Sequence, residues 1–298
     1  MPTTLPRLPD HRLRPLAEAY ASAVRASRLR FLVGLVVFAV VVLVAARFAE
    51  VDLVRMASRL GALGDYVGRL VVFDSGDHVG RPVIVAPGEW MWGLTHWAKL
   101  IGDTLLIAYA GTLLGAVAAF FLSFMAARNL GRHPMVRVGV KRLLEFCRTV
   151  PELVFALIFV IAFGLGPLPG VLALAIHTTG ALGKLFSEVV ENIDMKPVEG
   201  TTATGGSWWQ TVRFAVVPQV AANFASYALL RFEINVRGAS VMGFVGAGGI
   251  GQDLIEAIRK FYYADVSAIL VLIIATVMVI DLATERLRHS LTATEARA

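Results

Sequence analysis

An uncharged stretch of the chain, residues 104–127, reads TLLIAYAGTLLGAVAAFFLSFMAA. A hydrocarbon core about 30 Å thick is crossed by a helix of about 20 mainly apolar residues, so this stretch predicts a transmembrane helix. The 298 residues are 57% hydrophobic and only 17% charged, with a mean hydropathy of +0.69. Soluble domains carry about 25% charged residues. The composition therefore excludes an ordinary soluble protein and predicts an all-α membrane protein.

Other apolar stretches raise the predicted number of transmembrane helices to about six. The first lies within residues 31–50, and it follows a basic segment, residues 1–30, that is longer than the basic region of a signal peptide. Residues 153–176 are interrupted by Gly and Pro at 164–170 and are predicted to form two spans joined by a tight turn. The last two spans are predicted at about 218–237 and 266–283.

The distribution of charge predicts the orientation of the chain in a membrane. The net charge is +6, and residues 128–148 carry a group of basic side chains against the single acid Glu145. This group is Arg128, Arg132, Arg137, Lys141, Arg142 and Arg148. Because cytoplasmic loops are rich in Lys and Arg, we expect this loop, the N-terminal segment and the tail 287–298 in the cytoplasm, with residues 51–97 outside.

The outer segment has features of its own. Apolar residues recur at helical spacing between Leu53 and Leu70 and predict an amphipathic helix on the membrane surface. Trp90, Trp92 and Trp97 are typical of an interfacial aromatic belt. These features favour a connector that rests on the membrane over a binding role.

A glycine motif lies near the predicted outer side. Gly246, Gly248 and Gly251 match the G-x-G-x-x-G pattern of dinucleotide-binding proteins, and Gly249 lies among them. That function requires a preceding strand, whereas a membrane helix is predicted here. We expect these glycines to allow close helix approach or a broken backbone at a gate or along a transport path.

The predicted cytoplasmic segment 188–218 contains signals for a helix–turn–helix. Pro197 is suited to open a short helix, and Gly205 is suited to end it. Ser207 and Gln210 have the spacing of a capping box for a second helix. Trp208 and Trp209 are exposed apolar residues in this prediction, of the type that anchors interfaces, although an ordinary loop with Trp at the membrane surface is the alternative.

The spacing of this segment resembles the coupling loop of bacterial ABC importer permeases. That loop has the pattern E-A-A-x3-G-x9-I-x-L-P, and Glu199, Gly205 and Pro218 stand at its Glu, Gly and Pro positions. The chain departs from the pattern at Gly200, Thr201, Ala215 and Val217, and these changes are small or conservative. In the family this loop docks into a groove of the ATPase subunit.

A narrower resemblance, to the phosphonate importer permease, covers most of residues 95–285. It rests on segments that begin at Thr104, Arg148, Arg213 and Tyr227, and on the glycine motif. The run Arg231-Phe-Glu233-Ile-Asn-Val-Arg237 favours phosphonate over the methionine importer permease, which the glycine motif alone also resembles.

Catalytic motifs are missing from the sequence. It contains no G-x4-G-K-[ST], no H-E-x-x-H and no G-x-S-x-G, and its one cysteine, Cys147, excludes a disulfide scaffold or a multi-cysteine metal cluster. We therefore predict no catalytic residues, no metal site, no cofactor and no nucleic-acid partner for this chain.

Ionisable residues inside the predicted spans are costly in lipid and usually face a bundle interior or an aqueous path. The candidates for an anion path are His177, Lys184, Arg231, Glu233 and Arg237. The alternative is that the arginines pair with Glu233 or a neighbouring helix and only hold the bundle together.

The resemblance implies a permease subunit of an ATP-driven importer for phosphonate or a related oxyanion such as phosphate or phosphite. It also implies a second copy of this chain, two ATPase subunits that bind ATP and Mg, and an extracytoplasmic phosphonate-binding protein. The alternatives are a methionine-type permease, a secondary transporter without an ATPase, and a membrane-embedded enzyme.

Overall fold

The computed structural model describes residues 10–130 and 133–295. These residues form helices joined by short connections, and outside the helices they include one isolated antiparallel bridge, between Val72 and Pro82. The chain divides after Asp65 into two compact units. Residues 1–9 of the predicted N-terminal segment, 131–132 of the predicted basic loop, with Arg132, and 296–298 of the predicted tail lie outside the described residues.

The first unit contains one long helix and a short one. Helix α1, Asp10–Phe48, includes nearly all of the predicted first span but begins about 20 residues before it, so residues 10–30 of the basic segment and the span form one helix. Helix α2, Leu53–Ser58, is capped by Asp52, whose Oδ1 accepts the backbone N–H of Arg55 at 2.8 Å. The single amphipathic helix predicted from Leu53 is therefore interrupted at Arg59, after which helix α3, Leu60–Leu70, begins.

The rest of the chain forms the second unit, residues 66–298. Its helices after α3 are α4 (Pro87–Trp90), α5 (Leu94–Ala126), α6 (Pro134–Thr149), α7 (Glu152–Phe163), α8 (Pro167–Glu191), α9 (Lys196–Ala203), α10 (Trp208–Thr211), α11 (Val217–Met242), α12 (Gly251–Lys260) and α13 (Tyr263–Glu295).

Within the described residues, four helices are long and apolar enough to cross a membrane, or five if a bent pair counts as one span. The four lie in α1, α5, α8 and α13, and the bent pair is α6 with α7, which meet at 85°. The sequence predicted six because it counted residues 153–163 as a span, although α7 alone has only 12 residues. It also counted α11, whose 26 residues are long enough but include charged side chains.

Helix α6 is a departure from the predicted basic loop. Its 16 residues form an amphipathic helix that buries Leu144 and Cys147. These residues pack on α8 where glycines leave room, since a Cβ at Gly180 would lie 2.6 Å from the Leu144 carbonyl oxygen and one at Gly183 would lie 2.5 Å from a Leu144 methyl group. The charged residues of α6 therefore occupy the remaining surface of a packed helix. A count of charges alone cannot distinguish such a helix from a loop.

Close packing of α5 against α8 forms the centre of the second unit. A Cβ at Gly111 would lie 2.6 Å from Leu174 Cβ, and one at Gly115 would lie 2.6 Å from Thr178 Cβ. Small residues such as glycine let the backbones of two membrane helices approach this closely. The predicted break between two spans is present here, because Gly164 and Gly166 have positive φ and separate α7 from α8.

The segment that precedes α5, residues 71–93, packs against the start of α13. Phe73 and Val83 are buried beside Ala264 at the start of α13. The predicted aromatic belt is divided in the structure, since Trp97 is 3% exposed whereas Trp92 is 69% exposed. Trp90 Nε1 donates to Ser267 Oγ at 3.0 Å. The tryptophans therefore differ from a simple interfacial belt, because two of them are packed on the bundle.

Candidate functional site

The candidate coupling residues lie in a two-helix element, residues 196–211. Pro197 occupies the first turn of α9, where its missing N–H costs nothing. Val198 is buried and anchors the helix, whereas the next residue, Glu199, is exposed. Gly205 ends the turn with φ +81°, and a Cβ there would meet no atom within 4 Å. Glycine is thus needed at this position for its backbone conformation and not for lack of space.

The second helix of the element presents its two tryptophans differently. Its capping box is formed, with the Ser207 N–H donating to Gln210 Oε1 at 2.7 Å. Trp208 is half-buried and its Nε1 donates to the Leu130 carbonyl at 3.1 Å. Trp209 is 62% exposed. The sequence predicted both rings to be exposed, but Trp208 packs inward because Leu130, distant in sequence, supplies an acceptor beside an apolar cluster.

A π turn joins the two-helix element to α11. Residues 212–216 have the wider turn, and the Val217 N–H donates to the Val212 carbonyl, five residues earlier. Pro218, which has no N–H to donate, follows in the first turn of α11. Phe214 within the turn is 66% exposed. Sequence reasoning missed Phe214 as a companion of Trp209, although both lie in the same helical run.

Gln219 ties the start of α11 to the segment before α9. Its Oε1 accepts the Asp194 N–H at 3.0 Å, and its Nε2 donates to the Asp194 carbonyl at 3.2 Å and the Ala215 carbonyl at 2.6 Å. One amide side chain therefore fixes both ends of the two-helix element.

The glycine turn, residues 243–251, is largely buried and packs on the helices around it. Gly246, Gly248 and Gly249 all have positive φ, between +80° and +88°. A Cβ at Gly249 would lie 2.5 Å from Thr104 Oγ1, and the same oxygen accepts the Ile250 N–H at 2.9 Å. A Cβ at Gly251 would collide with the Ser240 carbonyl oxygen.

The glycine turn also closes on the break between α7 and α8. The Gly166 N–H donates to the Gly246 carbonyl at 3.0 Å. A Cβ at Gly170 would lie 2.8 Å from the Ala247 carbonyl oxygen. The motif thus lies between two helices, α11 and α12, and not between a strand and a helix. This arrangement excludes a dinucleotide-binding role and is a tight backbone closure.

A buried polar triad holds three helices together at mid-length. Asn235 of α11 is 1% exposed, and its Nδ2 donates to Thr112 Oγ1 at 2.8 Å and to Thr178 Oγ1 at 2.9 Å. The two threonines belong to α5 and α8. Hydrogen bonds of this kind between membrane helices contribute about 0.6 kcal/mol each on average.

The first charge cluster consists of Glu152, His177 and Arg231, from α7, α8 and α11. His177 Nε2 lies 3.5 Å from Glu152 Oε2. Arg231 interacts electrostatically with both side chains, and its Nε is buried with no acceptor among the described residues. Sequence reasoning named His177 and Arg231 but missed Glu152, which lies far from them in the chain.

The second charge cluster consists of Glu233, Arg237, Asp281 and Arg288, from α11 and α13. Arg237 pairs with Glu233 and lies 3.2 Å from Asp281 Oδ2. Arg288 Nη2 lies 3.7 Å from Glu233 Oε2. The predicted anion-path residues are therefore divided, because Lys184 belongs to neither cluster and pairs with Glu188 on its own helix at 3.6 Å.

The geometry agrees with the comparison to known families. A family model described as binding-protein-dependent transport system inner membrane component matches residues 111–293. The chain belongs to this family. The match contains the coupling segment, the glycine turn and both charge clusters, so the candidate sites all lie in the part shared with the family.

Individual relatives are transport permeases. The chain is 44% identical over 189 residues to a phosphite transport system permease protein of Stutzerimonas stutzeri, covering 63% of this chain and 69% of that protein. It is 42% identical over 189 residues to a phosphate-import permease protein of Mycolicibacterium smegmatis, covering 63% of this chain and 36% of that protein. A chain of the inward-facing MetNI methionine ABC transporter has a TM-score of 0.58 at 18% identity, covering 69% of this chain and 98% of that chain. The last similarity shows the ABC permease fold alone.

Proposed function

We propose that this chain forms the translocation path of an ATP-driven importer for phosphonate, phosphite or phosphate. The two-helix element carries the proposal, because it keeps Glu199 and Trp209 exposed while Val198 and Trp208 anchor it to the bundle. Phe214 is exposed in the adjoining π turn. An exposed aromatic on a rigid support is what a protein interface uses as an anchor. The element is thus suited to dock on a separate ATPase subunit, which would hold ATP and Mg.

The substrate class follows from two kinds of support. The two permeases compared above act in phosphite transport and phosphate import by their names. The run from Arg231 to Arg237 resembles the phosphonate importer permease and extends the proposed substrate class to phosphonate. All three ligands share a tetrahedral anionic head. The fold similarity to a methionine transporter does not favour methionine, since it rests on 18% identity.

The proposed assembly contains two copies of this chain, two ATPase subunits and an extracytoplasmic binding protein. In this topology α7 and α11 also cross the membrane, which gives six spans with α1, α5, α8 and α13. Both termini and the basic helix α6 would then face the cytoplasm, as the positive-inside rule requires. The two-helix element would then lie on the ATPase side. The glycine turn would close the outer end of the path, with Gly246, Gly248, Gly249 and Gly251 at its tight contacts.

Reconstitution into liposomes tests this function. The chain is co-purified with its ATPase, and uptake of radiolabelled phosphite, methylphosphonate and phosphate is measured with the binding protein outside. We expect uptake only with ATP on the ATPase side. Uptake that follows an ion gradient without ATP would overturn the proposal in favour of a secondary transporter.

The exposed face of the element supplies a second arm of the same test. Glu199→Lys reverses a charge on that face without touching a buried group. We expect uptake to fall while the permease remains folded, because the proposed docking contact is disturbed. Lys196→Glu reverses an exposed charge of the opposite sign in the first turn of the same helix. It should leave uptake unchanged, so a loss of uptake in both variants would show a general charge effect on the helix and not a docking contact of Glu199.

A further inference from the structure

The first charge cluster places one carboxylate against two cationic or potentially cationic side chains. Glu152 lies in the first turn of α7, His177 at mid-length of α8 and Arg231 at mid-length of α11. Three separate helices therefore meet at this point. An isolated ionised group is expensive in a low-dielectric interior, so these charges must be held by one another or by a ligand.

The proton on His177 is placed by the backbone. His177 Nδ1 lies 3.2 Å from the Val150 carbonyl oxygen, which can only accept a hydrogen bond. Nδ1 therefore carries a proton, and Nε2 is the nitrogen that faces Glu152 at 3.5 Å. In its charged form His177 can donate from Nε2 to an oxyanion at the position of the Glu152 carboxylate.

Arg231 is under-satisfied in this arrangement. Its Nε is buried and has no acceptor among the described residues. An unpaired buried donor is unfavourable, which favours any movement that brings an acceptor to it. The guanidinium fork of Arg231 matches two oxygens of a phosphate or phosphonate head in a bidentate manner.

Glu152 has room to move. Its side chain is 31% exposed, against 16% for His177, so the cluster is accessible and not sealed. Its Oε1 lies over Gly238, where a Cβ would approach it to 3.3 Å. Glycine at this position leaves space beside the carboxylate.

The second charge cluster shows how a fixed carboxylate is held in the same bundle. Glu233 is 13% exposed and lies near two arginines, Arg237 and Arg288, with Thr284 Oγ1 3.4 Å from its Oε2. Among the described residues, Glu152 has fewer partners, namely one imidazole at 3.5 Å and the electrostatic attraction of Arg231. The two carboxylates are therefore differently restrained.

We propose that Glu152 is the resident counter-ion of an exchangeable oxyanion site on Arg231 and His177. An entering tetrahedral oxyanion takes the place of the Glu152 carboxylate, and the carboxylate returns when the anion leaves. The exchange involves no covalent step. Competition from Glu152 keeps the site weak, as a transport path requires, because a tightly held ligand would not move on. This inference rests on the proposed function and adds the contact residues to it.

The test uses the permease–ATPase complex in nanodiscs, without the binding protein. The complex is titrated with inorganic phosphate, and 31P NMR line broadening measures binding. We expect weak binding by the unmodified complex. Glu152→Gln should bind phosphate about tenfold more tightly, the change that corresponds to about 1.4 kcal/mol. Arg231→Gln should abolish binding. Equal affinity for Glu152→Gln and the unmodified complex, or binding retained by Arg231→Gln, would overturn the inference.

Matched variants control for assembly and for general charge effects. Asp253→Asn removes a carboxylate that also lies beside an imidazole, His96 Nε2 at 2.9 Å, but outside both charge clusters, and it should leave phosphate affinity unchanged. A tenfold gain with Asp253→Asn would show a general charge effect and overturn the assignment to Glu152. If Arg231→Gln alone does not assemble, Glu152→Gln/Arg231→Gln removes both charges together, and phosphate binding by this double variant contradicts the inference.

The outcome is separable from that of the proposed function. ATP-dependent uptake by the unmodified complex reports on the function and does not involve the Glu152 variant. Uptake that is normal while phosphate titrations are unaffected by Glu152→Gln would refute only the exchange site. The expected titrations in a complex that shows no ATP-dependent uptake would support the site and refute the importer.

Discussion

Gly205 and Gly249 have the same backbone conformation in opposite surroundings. Their φ angles are +81° and +80°. A Cβ at Gly205 meets no atom within 4 Å, whereas one at Gly249 would lie 2.5 Å from Thr104 Oγ1. Gly205 therefore reverses the chain in an open region of the two-helix element. Gly249 does so in a crowded region, where the glycine turn packs against Thr104 of α5. Identical residues in identical conformations should thus differ greatly in their tolerance of substitution.

Gly249→Ala should give the largest loss of stability. The left-handed conformation costs a residue with a Cβ about 1–2 kcal/mol. The collision with Thr104 adds an overpacking cost of about 1–3 kcal/mol and weakens the acceptor of the Ile250 N–H. Thermal unfolding in detergent measures the sum.

Gly102→Ala is the control for this prediction. Gly102 is a helical residue of α5 at which a Cβ would meet no atom within 4 Å. The substitution should stabilise α5 slightly, by about 0.5–1 kcal/mol. Equal melting temperatures for the two variants would refute the close contact at Thr104.

Trp208→Ala should have an intermediate effect, and the adjacent Trp209→Ala should separate stability from docking. Trp208 loses its hydrogen bond to Leu130 and part of a packed cluster, so we expect a loss of about 2 kcal/mol. Trp209 is exposed and contacts the Trp208 ring edge-to-face, with centroids 4.5 Å apart, so its removal should lower the melting temperature only slightly. Titration of the proposed ATPase subunit should instead show affinity reduced by about tenfold or more, as for an interface anchor. A large change in melting temperature for Trp209→Ala would show that this ring is structural.

Gly205→Ala should have the smallest effect on stability of the three positions. Only the positive φ opposes the substitution, at about 1 kcal/mol. Gly205→Asn should cost less still, because Asn tolerates the left-handed conformation. Chemical unfolding of both variants beside the unmodified chain checks the order. A loss as large as that of Gly249→Ala would mean that Gly205 lies in a packed contact.

Local signals in the sequence were sufficient for much of the fold. The apolar run at 104–127 lies almost wholly within α5, and the interruption at 164–170 contains the break between α7 and α8. Pro197 and Gly205 mark the first helix of the two-helix element and its end. These features depend on composition and on residues a few positions apart, which is why they could be predicted.

Features that depend on distant contacts could not be predicted. Helix α6 was predicted as a loop because its burial depends on Gly180 and Gly183 of α8. The inward turn of Trp208 depends on Leu130. The same limit applied to the candidate site, where charges such as Arg231 were identified but the partner Glu152 was not.

Gln219 links the end of α8 to the start of α11 at one end of the bundle. Its amide is bonded to both the N–H and the carbonyl of Asp194, just after α8, and to Ala215, just before α11. Movement of residues 196–211 would therefore act on the end of α8 and on the start of α11 together. His177 belongs to α8 and Arg231 to α11, whereas Glu152 belongs to α7. Such a movement would displace the imidazole and the guanidinium together relative to the Glu152 carboxylate.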